Sequence, residues 1–88
     1  MKRVVVSPDA TCAVLDDGAV VLHMRTKRYF SLNATGAAIW GLLESETPVP
    51  AIVVRLTELY DVDAATASVS LDALIAELEA ASLVAVAE

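Results

Sequence analysis

The apolar positions follow two rhythms, divided at Asn33. Before it they come in short runs suited to strands; after it they recur at three- and four-residue steps suited to helices. Met1 to Asp9 reads as a short apolar arm ended by Ser7-Pro8-Asp9. Thr11 to Leu15 and Ala19 to Met24 read as two strands around Asp16-Asp17-Gly18. With Asp17-Gly18 as a two-residue hairpin turn, Asp16 opposes Ala19, Leu15 faces Val20, Ala13 faces Leu22 and Thr11 faces Met24. That face is apolar and is expected to meet the core. Val14 with Val21, and Cys12 with His23, then fall on the other face. A three-residue loop, Arg25-Thr26-Lys27, pairs Met24 with Arg28 and Leu22 with Phe30, and brings Leu32 beside Val20 on the inner face. Lys27 then takes the left-handed position in which such loops usually end.

Asn33 is placed to cap a helix starting near Ala34 or Thr35. Ala38, Ile39, Leu42 and Leu43 form its stripe, and Trp40 is expected to seal the edge. Thr47-Pro48 reads as the N-cap and first residue of a second helix, with Pro50 tolerable in its first turn. Val49, Ile52, Val53, Leu56, Leu59 and Tyr60 are its apolar positions. Asp63 is the expected cap of a third helix from about Ala64 to Ala81, with Leu71, Leu74, Ile75 and Leu78 as the core stripe. A second stripe on that helix, Val69, Ala73, Ala76 and Ala80, is small and apolar and would let another backbone approach closely. Leu83 to Val86 is a short apolar tail. Strands followed by helices predict a single α+β domain over residues 1–88, winged-helix-like, with a three-stranded antiparallel meander and then three helices.

Composition narrows the picture. A chain of 88 residues has a thin core. It is 57% hydrophobic, which argues against disorder, but only 5% aromatic, which favours closely packed elements over a large cavity. The net charge of −6 is uneven: residues 1–33 carry five bases and three acids, residues 34–88 one base and nine acids. An acidic helical half repels a phosphate backbone, and the third helix has no Lys or Arg, so a winged-helix nucleic-acid binder starts with a penalty. The single cysteine cannot form an internal disulfide. The valines after Lys2-Arg3 are too few for a secretory signal, and no run approaches membrane length, so a cytoplasmic location is expected.

Candidate chemistry is sparse. Cys12 opposite His23 would make a thiol–imidazole pair, but a hairpin face offers neither an orienting third group nor an oxyanion hole, so a cross-strand pair without catalytic consequence is the simpler reading. Two such ligands are too few for a structural zinc site. Gly18, Gly36 and Gly41 lack phosphate-loop spacing, and Gly36 is better read as allowing close packing at a helix start. Asp61, Asp63, Asp72, Glu77 and Glu79 lack calcium-loop spacing and read as a solvated face, with Asp72 set apart by its place beside the small stripe. No catalytic activity, cofactor or metal is expected. Arg25, Lys27 and Arg28 suit a soluble turn, a nucleic-acid wing or the charged rim of a peptide groove. Tyr29, Phe30, Ser31 and Leu32 form the last strand of the meander. If that strand lies at an edge, it is either shielded by its neighbouring charges or open to an extended peptide.

Val20-Val21-Leu22 and the run Arg28-Tyr29-Phe30-x-Leu32-Asn33-x-Thr35-Gly36-x-x-Ile39-Trp40 closely resemble PqqD-like peptide-binding domains, the recognition elements of ribosomal-peptide modification pathways. The resemblance extends from about Thr11 to Val84. It departs from the family pattern at Lys27, where Gly is common, at Ser70, where Asp often stands, and at Ser82-Leu83, where Gly-Leu is usual. The resemblance implies that the leader of a precursor peptide binds as an added strand along this edge, against the third helix. The expected peptide-binding residues are Arg28, Tyr29, Phe30, Ser31 and Leu32 with Val69, Asp72, Ala73 and Ala76, and Asp72 and Arg28 would serve as charged edges. The pattern looks most like the discrete recognition elements of lasso-peptide biosynthesis, which implies a leader peptidase as partner. A radical SAM or pyrroloquinoline-quinone pathway is the neighbouring possibility.

Overall fold

A computed structural model describes residues 3–87 of the chain. Met1 and Lys2 of the N-terminal arm, and Glu88, lie outside the described residues. The α+β meander-then-helices architecture is present. Its strands are β1 (Arg3–Val6), β2 (Ala10–Leu15), β3 (Gly18–His23), β4 (Tyr29–Asn33) and β5 (Val84–Ala87). Its helices are α1 (Ala34–Glu44), α2 (Val49–Leu59) and α3 (Ala64–Ala80). The sheet order is β2-β3-β4, so β4 is an edge strand.

The expected arm and tail are a pair of strands. β1 and β5 form an antiparallel ribbon in which Val4 opposes Val86 and Val6 opposes Val84. Each segment is four residues long, and the backbone groups on its inner edge pair with the other strand.

The hairpin register differs from the expected one. The turn is Asp16-Asp17, with Leu15 opposite Gly18, Val14 opposite Ala19 and Cys12 opposite Val21. Gly18 is therefore a strand residue. A Cβ there would collide with the carbonyl oxygen of Leu32, so glycine serves the close approach of β4 and not the turn. The faces are exchanged as a result. Ala19, Val21 and His23 are buried, while Thr11, Ala13, Leu15 and Met24 are exposed and Val20 and Leu22 half-buried.

The β3–β4 loop contains four residues, Met24 to Lys27. The His23 N–H donates to the Arg28 carbonyl at 2.8 Å, and the Lys27 N–H donates to the His23 carbonyl at 2.8 Å. Phe30 now opposes Val21, and Leu32 opposes Ala19, so both still face inward as expected. Buried His23 accepts the Thr26 N–H on Nδ1 at 3.3 Å, which ties the loop down.

Lys27 does adopt the left-handed conformation, with φ 64°, and Ser82 does so with φ 61°. Ser82 sits where a Schellman motif closes α3: the Leu83 N–H donates to Leu78 O at 2.9 Å and the Ser82 N–H to Glu79 O at 3.0 Å. A Cβ in this region costs on the order of 1 kcal/mol relative to Gly, partly offset by glycine's looser unfolded chain. Lys27→Gly and Ser82→Gly should each raise the urea midpoint, and a fall at either site would contradict this reading.

The caps follow the expected chemistry at two helices. Asn33 Oδ1 accepts the Gly36 N–H at 2.8 Å, and Asp63 Oδ1 accepts the Thr66 N–H at 2.7 Å. The bond from the Thr66 backbone holds the Asp63 carboxyl below its ordinary pKa. α2 begins one residue later than expected. Pro48 occupies the cap position, without a side-chain bond, and the Thr47 N–H instead closes α1 on Leu42 O at 3.0 Å.

The helices and the inner sheet face enclose one core that includes Val21, Leu32, Ile39, Leu43, Ile52, Leu56, Leu71, Ile75 and Leu78. Trp40 lies inside it at 1% exposure, so it is a core residue and not an edge seal. Its Nε1 has no hydrogen-bond partner.

Candidate peptide-binding groove

β4 runs along the open side of the sheet, and its hydrogen-bond phase determines which groups are free. His23 and Arg28 form a bonded pair. Antiparallel pairing alternates, so Val21–Phe30 and Ala19–Leu32 are the next bonded pairs along the register. The N–H and C=O groups of Tyr29 and Ser31 therefore point away from β3. Their side chains share the outer face of the sheet, where Tyr29 is 72% exposed.

Between this edge and α3 lies a cleft of about 430 Å³. Phe30, Ser31, Leu32 and Asn33 line one wall, Thr35, Gly36 and Ile39 the floor, and Ser70, Leu74 and Glu77 the other wall. Gly36 lets α1 start close beneath β4, since a Cβ there would stand 3.2 Å from the Leu32 side chain. Past Asn33 the cleft meets a smaller apolar cavity of about 180 Å³, with which it shares Thr35, Ile39 and Ser70. At the opposite end, Arg28 and Tyr29 face Ala80, Ala81 and Ser82 across a further opening.

The structure thus brings Phe30, Ser31 and Leu32 together in the cleft, with Arg28 and Tyr29 at one end. Val69, Asp72, Ala73 and Ala76 do not line it. All four are exposed, Val69 at 70%. The positions that do face β4 are Ser70, Leu74 and Glu77 in the cleft, with Ala80 and Ala81 at the loop-end opening. Ala80 apart, this is the small-residue stripe moved on by one residue, about 100° around the helix. The signal for it was the core itself: with Leu71, Ile75 and Leu78 fully buried, the flank of that face toward β4 holds Ser70 and Leu74.

Cys12 and His23 are not opposite one another. Cys12 pairs with Val21, and His23 with Ala10. Burial, with the Glu44 carboxylate as a second cause, pushes the Cys12 thiol up, which disfavours the thiolate a nucleophile needs. Among the described residues no three His, Cys, Asp or Glu side chains are grouped to hold a metal, and no helix is long and apolar enough to cross a membrane.

Residues 18–84 match the family described as coenzyme PQQ synthesis protein D, PqqD. Two solved structures are similar over nearly the whole chain. One is TbiB1 in complex with the TbiA(beta) leader peptide, at TM-score 0.87 and 34% identity, covering 91% of this chain and 93% of that one. The other is lasso peptide synthetase B1 complexed with the leader peptide, at TM-score 0.85 and 26% identity, covering 94% of this chain and 98% of that one. No curated protein sequence matches the chain.

Proposed function

Because this chain belongs to the PqqD family, and its fold is that of two proteins bound to leader peptides, we propose that it is a non-catalytic recognition protein for the leader of a ribosomally made precursor peptide. The observation that carries the reading is the juxtaposition in the cleft. A free strand edge, with the backbone groups of Tyr29 and Ser31 outward, stands beside a wall built from Phe30, Leu32, Ser70 and Leu74. An extended peptide satisfies the edge as a fourth strand, and alternate side chains of that strand enter the cleft.

Main-chain bonds contribute roughly 0.5–1.5 kcal/mol each after exchange with water, so a few of them do not offset the ordering of a flexible leader. The apolar wall must supply the remainder. The similarity to a lasso peptide synthetase B1 favours a lasso-peptide pathway over a pyrroloquinoline-quinone or other radical SAM pathway. The bound precursor would then be presented to a leader peptidase, in the cytoplasm. A nucleic-acid reading has little support, because α3 carries no Lys or Arg.

Fluorescence polarisation with the labelled leader tests this and locates the α3 wall. Ser70 is exposed and lines the cleft, so Ser70→Trp should fill it with little cost to folding and weaken binding at least about tenfold, the equivalent of 1.4 kcal/mol. Ala76→Trp projects from another part of α3 and should leave affinity unchanged. The opposite pattern would place the peptide across Val69, Asp72, Ala73 and Ala76 instead.

A further inference from the structure

Strand addition alone is nearly blind to sequence. Backbone bonds form equally well in registers two residues apart, and an apolar wall fixes only which alternate side chains point inward. Something in the cleft must select register and direction. Glu77 is the single ionisable side chain among the residues that line it. Among the described residues it has no ion-pair partner, and neither has Arg28. Glu77 stands on the α3 wall beside Leu74, opposite the segment from Phe30 to Asn33. Arg28 lies toward the other end, with Ala81 and Ser82. Charge is therefore unequal along this edge, acidic in the cleft and basic at the separate loop-end opening.

We infer that Glu77 is a specificity-determining residue that selects a leader carrying a lysine or arginine at one fixed position. This rests on the leader-binding reading above. An added strand would screen Glu77 from water on one side, where a charge-assisted bond to a cation gains strength and an opposing carboxylate is penalised. Asp72 lies outside the cleft lining, so the acidic role belongs to Glu77.

The test uses a displayed library of random 12-residue peptides, selected separately on the wild-type chain, Glu77→Gln and Glu77→Lys. Glu77 is exposed, so both variants should fold, as circular dichroism would verify. Wild-type selection should return alternating apolar positions with Lys or Arg fixed at one site. Selection on Glu77→Lys should keep the apolar positions and place Asp or Glu at that site. A wild-type-selected peptide should bind Glu77→Gln about tenfold more weakly, the scale of one lost charge-assisted bond. An apolar consensus with no fixed charge, or one unchanged on Glu77→Lys, overturns the role of Glu77 and leaves leader binding standing. Selected peptides that bind equally well after Ser70→Trp overturn the groove and the inference together.

Discussion

Trp40→Ala should destabilise the domain by roughly 3–5 kcal/mol, the range for emptying a large aromatic site in a core. The indole is 1% exposed and belongs to the single core cluster, alongside Ile39 and Leu43 of the same helix. Domains have only about 5–15 kcal/mol in total, so the variant should melt far below the parent or fail to fold. Trp40→Phe should cost much less. It keeps most of the buried apolar area and removes the Nε1–H, which is buried without an acceptor and carries a desolvation penalty of about 1–3 kcal/mol. Chemical denaturation followed by circular dichroism reads both. A Trp40→Ala protein with near-parental stability would contradict the position of this side chain in the core.

Ser31→Pro should weaken leader binding about 10–100-fold while leaving the fold intact. The Ser31 N–H points out from the edge, so proline removes no bond of the β3–β4 ladder. It does remove one donor to an added strand, and its ring obstructs the strand's approach. The estimate follows from one or two lost backbone bonds of roughly 0.5–1.5 kcal/mol each with loss of neighbouring contacts. Ser31→Ala, which keeps the N–H, should bind like the parent. Equal loss in both variants would mean that the side chain and not the edge is recognised.

The legible parts of this fold were those fixed by local chemistry. Asn33 and Asp63 cap the helices that follow them, Lys27 takes the left-handed position, and Phe30 and Leu32 face inward. The parts missed depend on contacts between distant segments. Both faces of the first hairpin are similarly apolar, and what separates them is the approach of β4 to Gly18, which looked like a turn residue. Val4 and Val6 find their partners at the far end of the chain, beyond any local periodicity. The edge strand was readable for the same local reasons, because Tyr29 to Leu32 sit between a turn and a cap. The α3 wall was not. Val69, Ala73 and Ala76 share a face of small residues, but which flank of the helix meets β4 follows from how Leu71, Ile75 and Leu78 seat in the core.

In the proposed mode of recognition the leader becomes a strand on β4. Amide hydrogen exchange of the isotopically labelled chain, with and without saturating leader, measures this directly. In the free protein the Tyr29 and Ser31 amides face away from β3 and should exchange quickly, while the Phe30 and Leu32 amides, bonded to β3, should exchange slowly. Leader binding should slow Ser31 and Tyr29 strongly and change Phe30 and Leu32 little. A leader that binds while the Tyr29 and Ser31 amides keep their free exchange rates would contradict the account.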